Sequence, residues 1–245
     1  MISGVSESSA RRQANQPRGR APQQQFRLPE GATEIVLVRH GASADAVAGA
    51  PFPLIDGRSD PPLSPVGEQQ AQAVAQRLAE ERVARMFITP LRRTAATAAP
   101  LAAAAGLEPT VVEDLAEVRL GDWEGGEYRL RAANGDPVIK RVFEEERWDI
   151  IPGGESPESL ARRVRAGIET VAAATGPGAI AVAVVHGGVI GEACRQATDS
   201  RRFAFVHSDN GSLTRLVVWP EGRWLLRSFN DVSHLPAQAA QVEDG

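Results

Sequence analysis

Two stretches of the chain are apolar without interruption, and the rest alternates with a helical or a two-residue period. Residues 34–39 (EIVLVR) and 179–185 (AIAVAVV) are rich in β-branched residues and alanine, the pattern of strands covered on both faces. Each run ends in His-Gly. Ser64 and Pro65 supply an N-cap and a first-turn proline, with Glu68 in the first turn, and predict an amphipathic helix to about residue 82. A strand over residues 85–89 follows, then a helix over 91–105 closed by Gly106, and a brief strand over 109–112. Residues 113–126 are polar and glycine-rich, and a charged helical region ends near Trp148. Helices are predicted over 157–174 and 189–197, with Gly176-Pro177-Gly178 stopping the first. Residues 211–219 and 223–229 alternate about Pro220-Glu221-Gly222 and predict an antiparallel hairpin at a sheet edge. This order of elements implies a three-layer α/β/α sandwich with a mostly parallel central sheet, and a ligand site at the carboxyl ends of its strands.

Composition adds limits to that picture. The 245 residues, 42% hydrophobic and 24% charged, suit one α/β domain, expected over residues 31–235. Residues 1–30, polar and carrying Arg11, Arg12, Arg18, Arg20 and Arg27, read as a disordered basic tail, and 236–245 as a flexible C-terminal one. A formal net charge of −4 gives little long-range attraction for nucleic acid or anionic lipid, so neither is expected as a partner. An anionic ligand must then be held by a local cluster of positive groups. The reading leaves room for a homodimer. No apolar run approaches the roughly 18 residues of a membrane span, and no secretory signal is evident, so a cytoplasmic location is expected. Cys194 is alone and reads as a buried structural thiol.

The chemistry concentrates where the two apolar runs stop. Arg39-His40-Gly41 and His186-Gly187-Gly188 belong at the same sheet edge, where glycines allow close backbone approach and a following helix N-terminus favours a phosphate. A lone histidine at such a place is usually a hydrogen-bonded core residue; two at matching strand ends point to function. His207 and His234 read as structural or surface residues, and Asp114 and Asp122 as surface or capping residues. The four histidines and one cysteine lack paired metal-ligand spacing, so neither a metal nor a cofactor is expected.

Six segments in order resemble the histidine phosphatase superfamily, whose fold is phosphoglycerate mutase-like. They are LVRHG (37–41), SDPPLSPVGEQQA (59–71), TPLRRTAATA (89–98), LAEVRLGDWEG (115–125), PGGES (152–156) and VVHGGVI (184–190). Ala42 stands where many members carry glutamate, and Thr89 where many carry serine. The resemblance implies His40 as the nucleophile, Glu117 as the proton donor, and Arg39, Arg93 and His186 around the phosphate. Gly187 and Ser43 join those three as substrate-binding residues. Arg92 is the alternative to Arg93 if the segment is shifted by one. A nucleophilic His40 requires its second ring nitrogen to be held by an acceptor such as a backbone carbonyl.

The implied activity is hydrolysis of a small phosphorylated metabolite through a phosphohistidine. The alternatives are phosphoglycerate mutase-type transfer, and a non-catalytic phospho-ligand binder of the same fold. Glu117 and His186 lie 69 positions apart, a compact spacing that resembles the phosphatases; the mutases carry a longer insertion there. In residues 44–57, Phe52, Pro53, Leu54 and Ile55 either line the substrate entrance or pack.

Overall fold

The computed structural model describes residue 23 and residues 25–236. Most of the expected basic tail and nearly all of the expected C-terminal one lie outside the described residues. β1 (Thr33–Arg39) and β6 (Ile180–Val185) run side by side in parallel, from Glu34 opposite Ile180 to Arg39 opposite Val185. Beyond β6 come β4 (Val83–Ile88) and β5 (Thr110–Val111), also parallel. On the other side of β1, β7 (Leu213–Val218) and β8 (Trp224–Asp231) add an antiparallel hairpin, giving the order β5-β4-β6-β1-β7-β8. A short antiparallel pair, β2 (Leu54–Ile55) and β3 (Arg58–Ser59), stands apart in the loop after β1.

Side chains leave each central strand alternately to two cores, which is why both runs are apolar throughout. Val36, Val38, Val182 and Val184 pack against α1 (Pro65–Leu78) and α2 (Arg92–Ala105). Ile35, Leu37, Ala181 and Ala183 pack against α5 (Pro157–Thr175) and α6 (Gly187–Thr198). Removing a fully buried aliphatic side chain such as Ile168 would cost about 2–5 kcal/mol. Cys194 is buried in the second core, where loss of hydration pushes its thiol up to about 12.

Several boundaries differ from the sequence pattern. α1 stops at Leu78, because Glu80 and Glu81 at a helix C-terminus oppose the backbone dipole, and β4 starts earlier with an irregularity between Val83 and Arg85. α6 starts at Gly187, with His186 itself as N-cap, so the helix begins as soon as the strand ends. The charged region is two short helices, α3 (Glu127–Ala133) and α4 (Pro137–Glu144), split at Asn134-Gly135-Asp136. Asp136 caps α4 by accepting from Val138 N (2.9 Å). No helix among the described residues is long and apolar enough to cross a membrane.

Candidate active site

The parallel strands place Arg39, His40 and His186 at one edge of the sheet, and α2 brings Arg93 to the same point. His40 is buried. Its Nδ1 lies 2.7 Å from the Gly41 carbonyl oxygen, which can only accept, so Nδ1 carries the proton. Nε2 therefore presents a lone pair, met by Arg93 Nε–H at 3.1 Å. Burial and the charges of Arg93 and Arg39 hold the His40 pKa well below the ordinary histidine value, so the ring is neutral at pH 7. His40 N donates to Val185 O (3.0 Å), and Asn210 Nδ2 donates to His40 O (2.8 Å), which fixes the backbone on two sides.

His186 is fully buried behind Arg93 and its ring centroid is 5.1 Å from that of His40. Arg93 Nη2 donates to its Nδ1 at 3.2 Å. The guanidinium can only donate, so the proton is on Nε2, 2.9 Å from Thr89 Oγ1, and the threonine hydroxyl accepts it. Its pKa is also held well below the usual value, by burial and by Arg93. In this arrangement His186 Nδ1 is an acceptor, because a guanidinium faces it.

Arg93 closes the cluster, with Nη1 donating to Ser59 O at 2.8 Å. Burial lowers its pKa to about 10, and it keeps its charge at neutral pH. The neighbouring arginine goes elsewhere: Arg92 leaves 48% of its side chain exposed, whereas Arg93 as a residue is 6% exposed. Arg92 N and Nε bond to Asp60 Oδ1 and O (2.8 and 2.7 Å), so Asp60 fastens the start of α2. Arg39 donates through Nη1 to Ser208 O, while its buried Nε has no partner in the protein. A buried charged donor left unpaired is a place for an anion.

Glu117 is half-buried across from the histidines. Its Oε1 accepts from Val118 N (2.9 Å), and Oε2 lies 3.5 Å from Gly188 N in the first turn of α6. A Cβ on Gly188 would stand 2.7 Å from Glu117 Oε1, so any other residue there would push the carboxylate from this position. The Glu117 backbone is clamped from behind. Arg58 Nε (2.6 Å) and Arg163 Nη2 (3.2 Å) donate to its carbonyl, and Arg163 is itself paired with buried Glu155 at 2.7 Å.

These groups surround a cavity of about 380 Å³ lined by Arg39, His40, Arg93, Glu117, Gly187 and Gly188 at its floor. Two expected residues are absent from its lining: His186, which lies beneath Arg93, and Ser43, whose hydroxyl accepts from Arg129 Nη2 (2.6 Å). Phe52 reaches the cavity, whereas Leu54 and Ile55 point to solvent. His207 lies at the cavity wall, stacked on Phe143, and His234 binds Gly211 O (3.0 Å) near β7. Glu124 also lines the cavity, but its oxygens accept from Ser59 N (2.7 Å) and Leu120 N (2.8 Å). Asp122 is exposed.

Sequence reasoning passed over Arg58, Arg129 and Arg163. Arg58 stands two residues before Asp60 in a quoted segment, and Arg163 lies eight after Glu155 of PGGES; Arg129 is masked by the charges around it. Among the described residues, no group of three or more His, Cys, Asp or Glu side chains could hold a metal ion.

One further contact secures the loop after His40. A Cβ on Gly41 would lie 2.4 Å from Gly67 O, and one on Gly67 would lie 2.0 Å from Ala42 O. The first turn of α1 thus rests backbone to backbone on the residues after His40.

Known proteins resemble this chain in sequence and in fold. The model of the histidine phosphatase superfamily (branch 1) matches residues 35–232. "Phosphoglycerate mutase-like protein 4" of Arabidopsis thaliana is 34% identical over 82% of this chain and 86% of its own. The "Metal-independent phosphoserine phosphatase" of the same plant is 33% identical over 83% of each. Among solved structures, a mycobacterial glucosyl-3-phosphoglycerate phosphatase superposes with a TM-score of 0.66 at 29% identity, covering 81% of this chain and 99% of that one. A phosphoglycerate mutase from Bacillus anthracis shares the fold, with a TM-score of 0.68 at 20% identity over 84% of this chain and 96% of its own.

Proposed function

Because this chain belongs to the histidine phosphatase superfamily, we propose that it hydrolyses a small phosphorylated metabolite through a phosphohistidine on His40. The observation that carries this reading is the ring of His40, neutral, with Nδ1–H tied to Gly41 O and Nε2 turned toward Arg93 at the cavity floor. The phosphoryl oxygens replace the two imidazoles as acceptors for Arg93 and take the unpartnered Arg39 Nε–H and the N-terminus of α6. A dianion beside His186 Nδ1 raises that ring's proton affinity, which would make it the third donor.

The Nε2 lone pair forms a bond to phosphorus as the ester P–O bond breaks, and protonated Glu117 gives its proton to the leaving alkoxide. Glu117, now a carboxylate, takes a proton from water, whose oxygen attacks phosphorus. The P–N bond breaks, phosphate departs and His40 is restored. Relatives named as phosphatases and the compact spacing between Glu117 and His186 support hydrolysis over transfer. Brief incubation with labelled substrate is expected to leave an acid-labile, alkali-stable phosphoryl group on His40. Label on another residue would refute the assignment. Isomerisation of a phosphoglycerate outpacing phosphate release would favour the mutase-like reading.

A further inference from the structure

A phosphoryl group on the floor engages His40, Arg39, Arg93 and the start of α6, which leaves the outer cavity to the alcohol half of the ester. That outer part is walled by rings from separate chain segments. Tyr128 comes from α3, Phe143 from α4, Trp148 from the turn after it and His207 from the loop before β7; Phe52 comes from the loop before β2. Four of these rings form one connected surface. Phe143 and His207 lie nearly parallel, 5.4 Å apart and 16° from coplanar. Phe143 meets Trp148 edge-on at 6.4 Å, and Tyr128 meets Trp148 at 6.0 Å. His207 is exposed, so this surface continues to the mouth.

The arginine, serine and glutamate side chains in the same wall are committed to the protein, which leaves the edges of the rings themselves, at Tyr128, Trp148 and His207, as polar groups without a partner among the described residues. Ser59 Oγ donates to Glu124 and accepts from Gly125 N (2.7 Å). Arg58 serves the Glu117 carbonyl (2.6 Å) and Asp56 (3.1 Å). Arg129 serves Ala44 O (2.9 Å) and Ser43 Oγ (2.6 Å). A polyhydroxylated alcohol entering here would give up water for few new hydrogen bonds, whereas a flat apolar one gains ring contact and buries carbon.

Building on the phosphatase reading above, we propose that these rings form a leaving-group subsite for a flat, apolar alcohol. The substrate class is then phosphate monoesters of aromatic alcohols in preference to those of glycerate, glycerol or sugars. The test compares kcat/KM of the full chain on 2-phenylethyl phosphate, glycerol 3-phosphate and phosphoserine, all primary alkyl esters without an activated leaving group, with p-nitrophenyl phosphate as the control for phosphatase activity. The phenylethyl ester is expected to be favoured by about 10-fold or more, since each well-placed ring contact contributes roughly 2- to 13-fold. His207→Ala, at an exposed ring, and Phe143→Leu should each move the ratio toward one. Turnover without preference for the ring, or a preference that both variants leave untouched, overturns the subsite. Failure to turn over any of the four esters overturns the phosphatase reading on which it rests.

Discussion

The ends of β1 and β6 read almost alike in sequence, each an apolar strand running into His-Gly, yet their histidines are in opposite states. His40 keeps its proton on Nδ1, facing the Gly41 carbonyl, and His186 keeps its proton on Nε2, facing Thr89. Arg93 sits between them and donates to both lone pairs, at 3.1 and 3.2 Å. One ring borders the cavity and the other is sealed behind the guanidinium. The pair teaches that a strand-end motif brings a histidine to the site, while the neighbour that can play only one role, a carbonyl at His40 and a guanidinium at His186, decides which nitrogen carries the proton.

The strongest way to break this comparison is to remove each ring in turn. His40→Ala is expected to abolish turnover, by several orders of magnitude, since a nucleophile has no substitute. His186→Ala should leave a labelled phosphoenzyme trappable, at reduced rate; equal and total losses in both would mean that the two rings act alike. Glu117, held near the N-terminus of α6 beyond His186, comes next. Glu117→Gln should slow phosphoryl transfer from alkyl phosphates roughly 10²- to 10⁴-fold in a single turnover, and far less from p-nitrophenyl phosphate, whose leaving group needs little protonation. Uniform loss on both esters would make Glu117 a positioning group.

Thr89→Val sharpens the comparison at one atom. It leaves the buried Nε2–H of His186 without an acceptor, and kcat/KM should fall about 10-fold, with recovery in Thr89→Ser. No recovery in the serine variant would place the role of Thr89 in its methyl group. The smallest effect is on stability in acid. Both rings titrate near 6.5 in the unfolded chain and well below it when folded, so under pH 6.5 the unfolded state binds more protons. Stability present at neutral pH should therefore decline as the pH falls through that value, by up to about 1.4 kcal/mol per unit for each histidine. Denaturant titrations from pH 7.5 to 5 would measure the slope, and His186→Gln should flatten it. A stability that rises in this range would contradict the burial of neutral rings.

The sandwich was legible because β1 and β6 feed two cores, which forces the uninterrupted apolar runs, and because Ser64-Pro65 and Gly106 mark helix ends by local chemistry. The site floor was legible for a related reason: its residues follow those strands directly, and Arg93 lies in the first turn of a helix. The walls were not. Tyr128, Phe143 and Trp148 sit in short helices and a turn between residues 127 and 150, where the charge pattern suggested a single helical region. Nothing in their local spacing says that they meet His207, since that contact is made by the tertiary packing of distant segments. Arg163 was hidden likewise, because its partners Glu155 and the Glu117 carbonyl converge only in the fold.

The contact between Gly41 and Gly67 has a consequence for how mutations at a distance are read. Gly67 is a helical residue, well along the chain from His40, and in most helices alanine there would be an improvement. Here an added methyl group would press on the Ala42 carbonyl, next to the peptide whose oxygen sets the His40 tautomer. A variant at position 67 should thus lose activity together with stability, through a shift of the backbone after His40 and not through any change in helix propensity. In a map of mutational tolerance, Gly67 would be grouped with His40 and not with the helix that contains it.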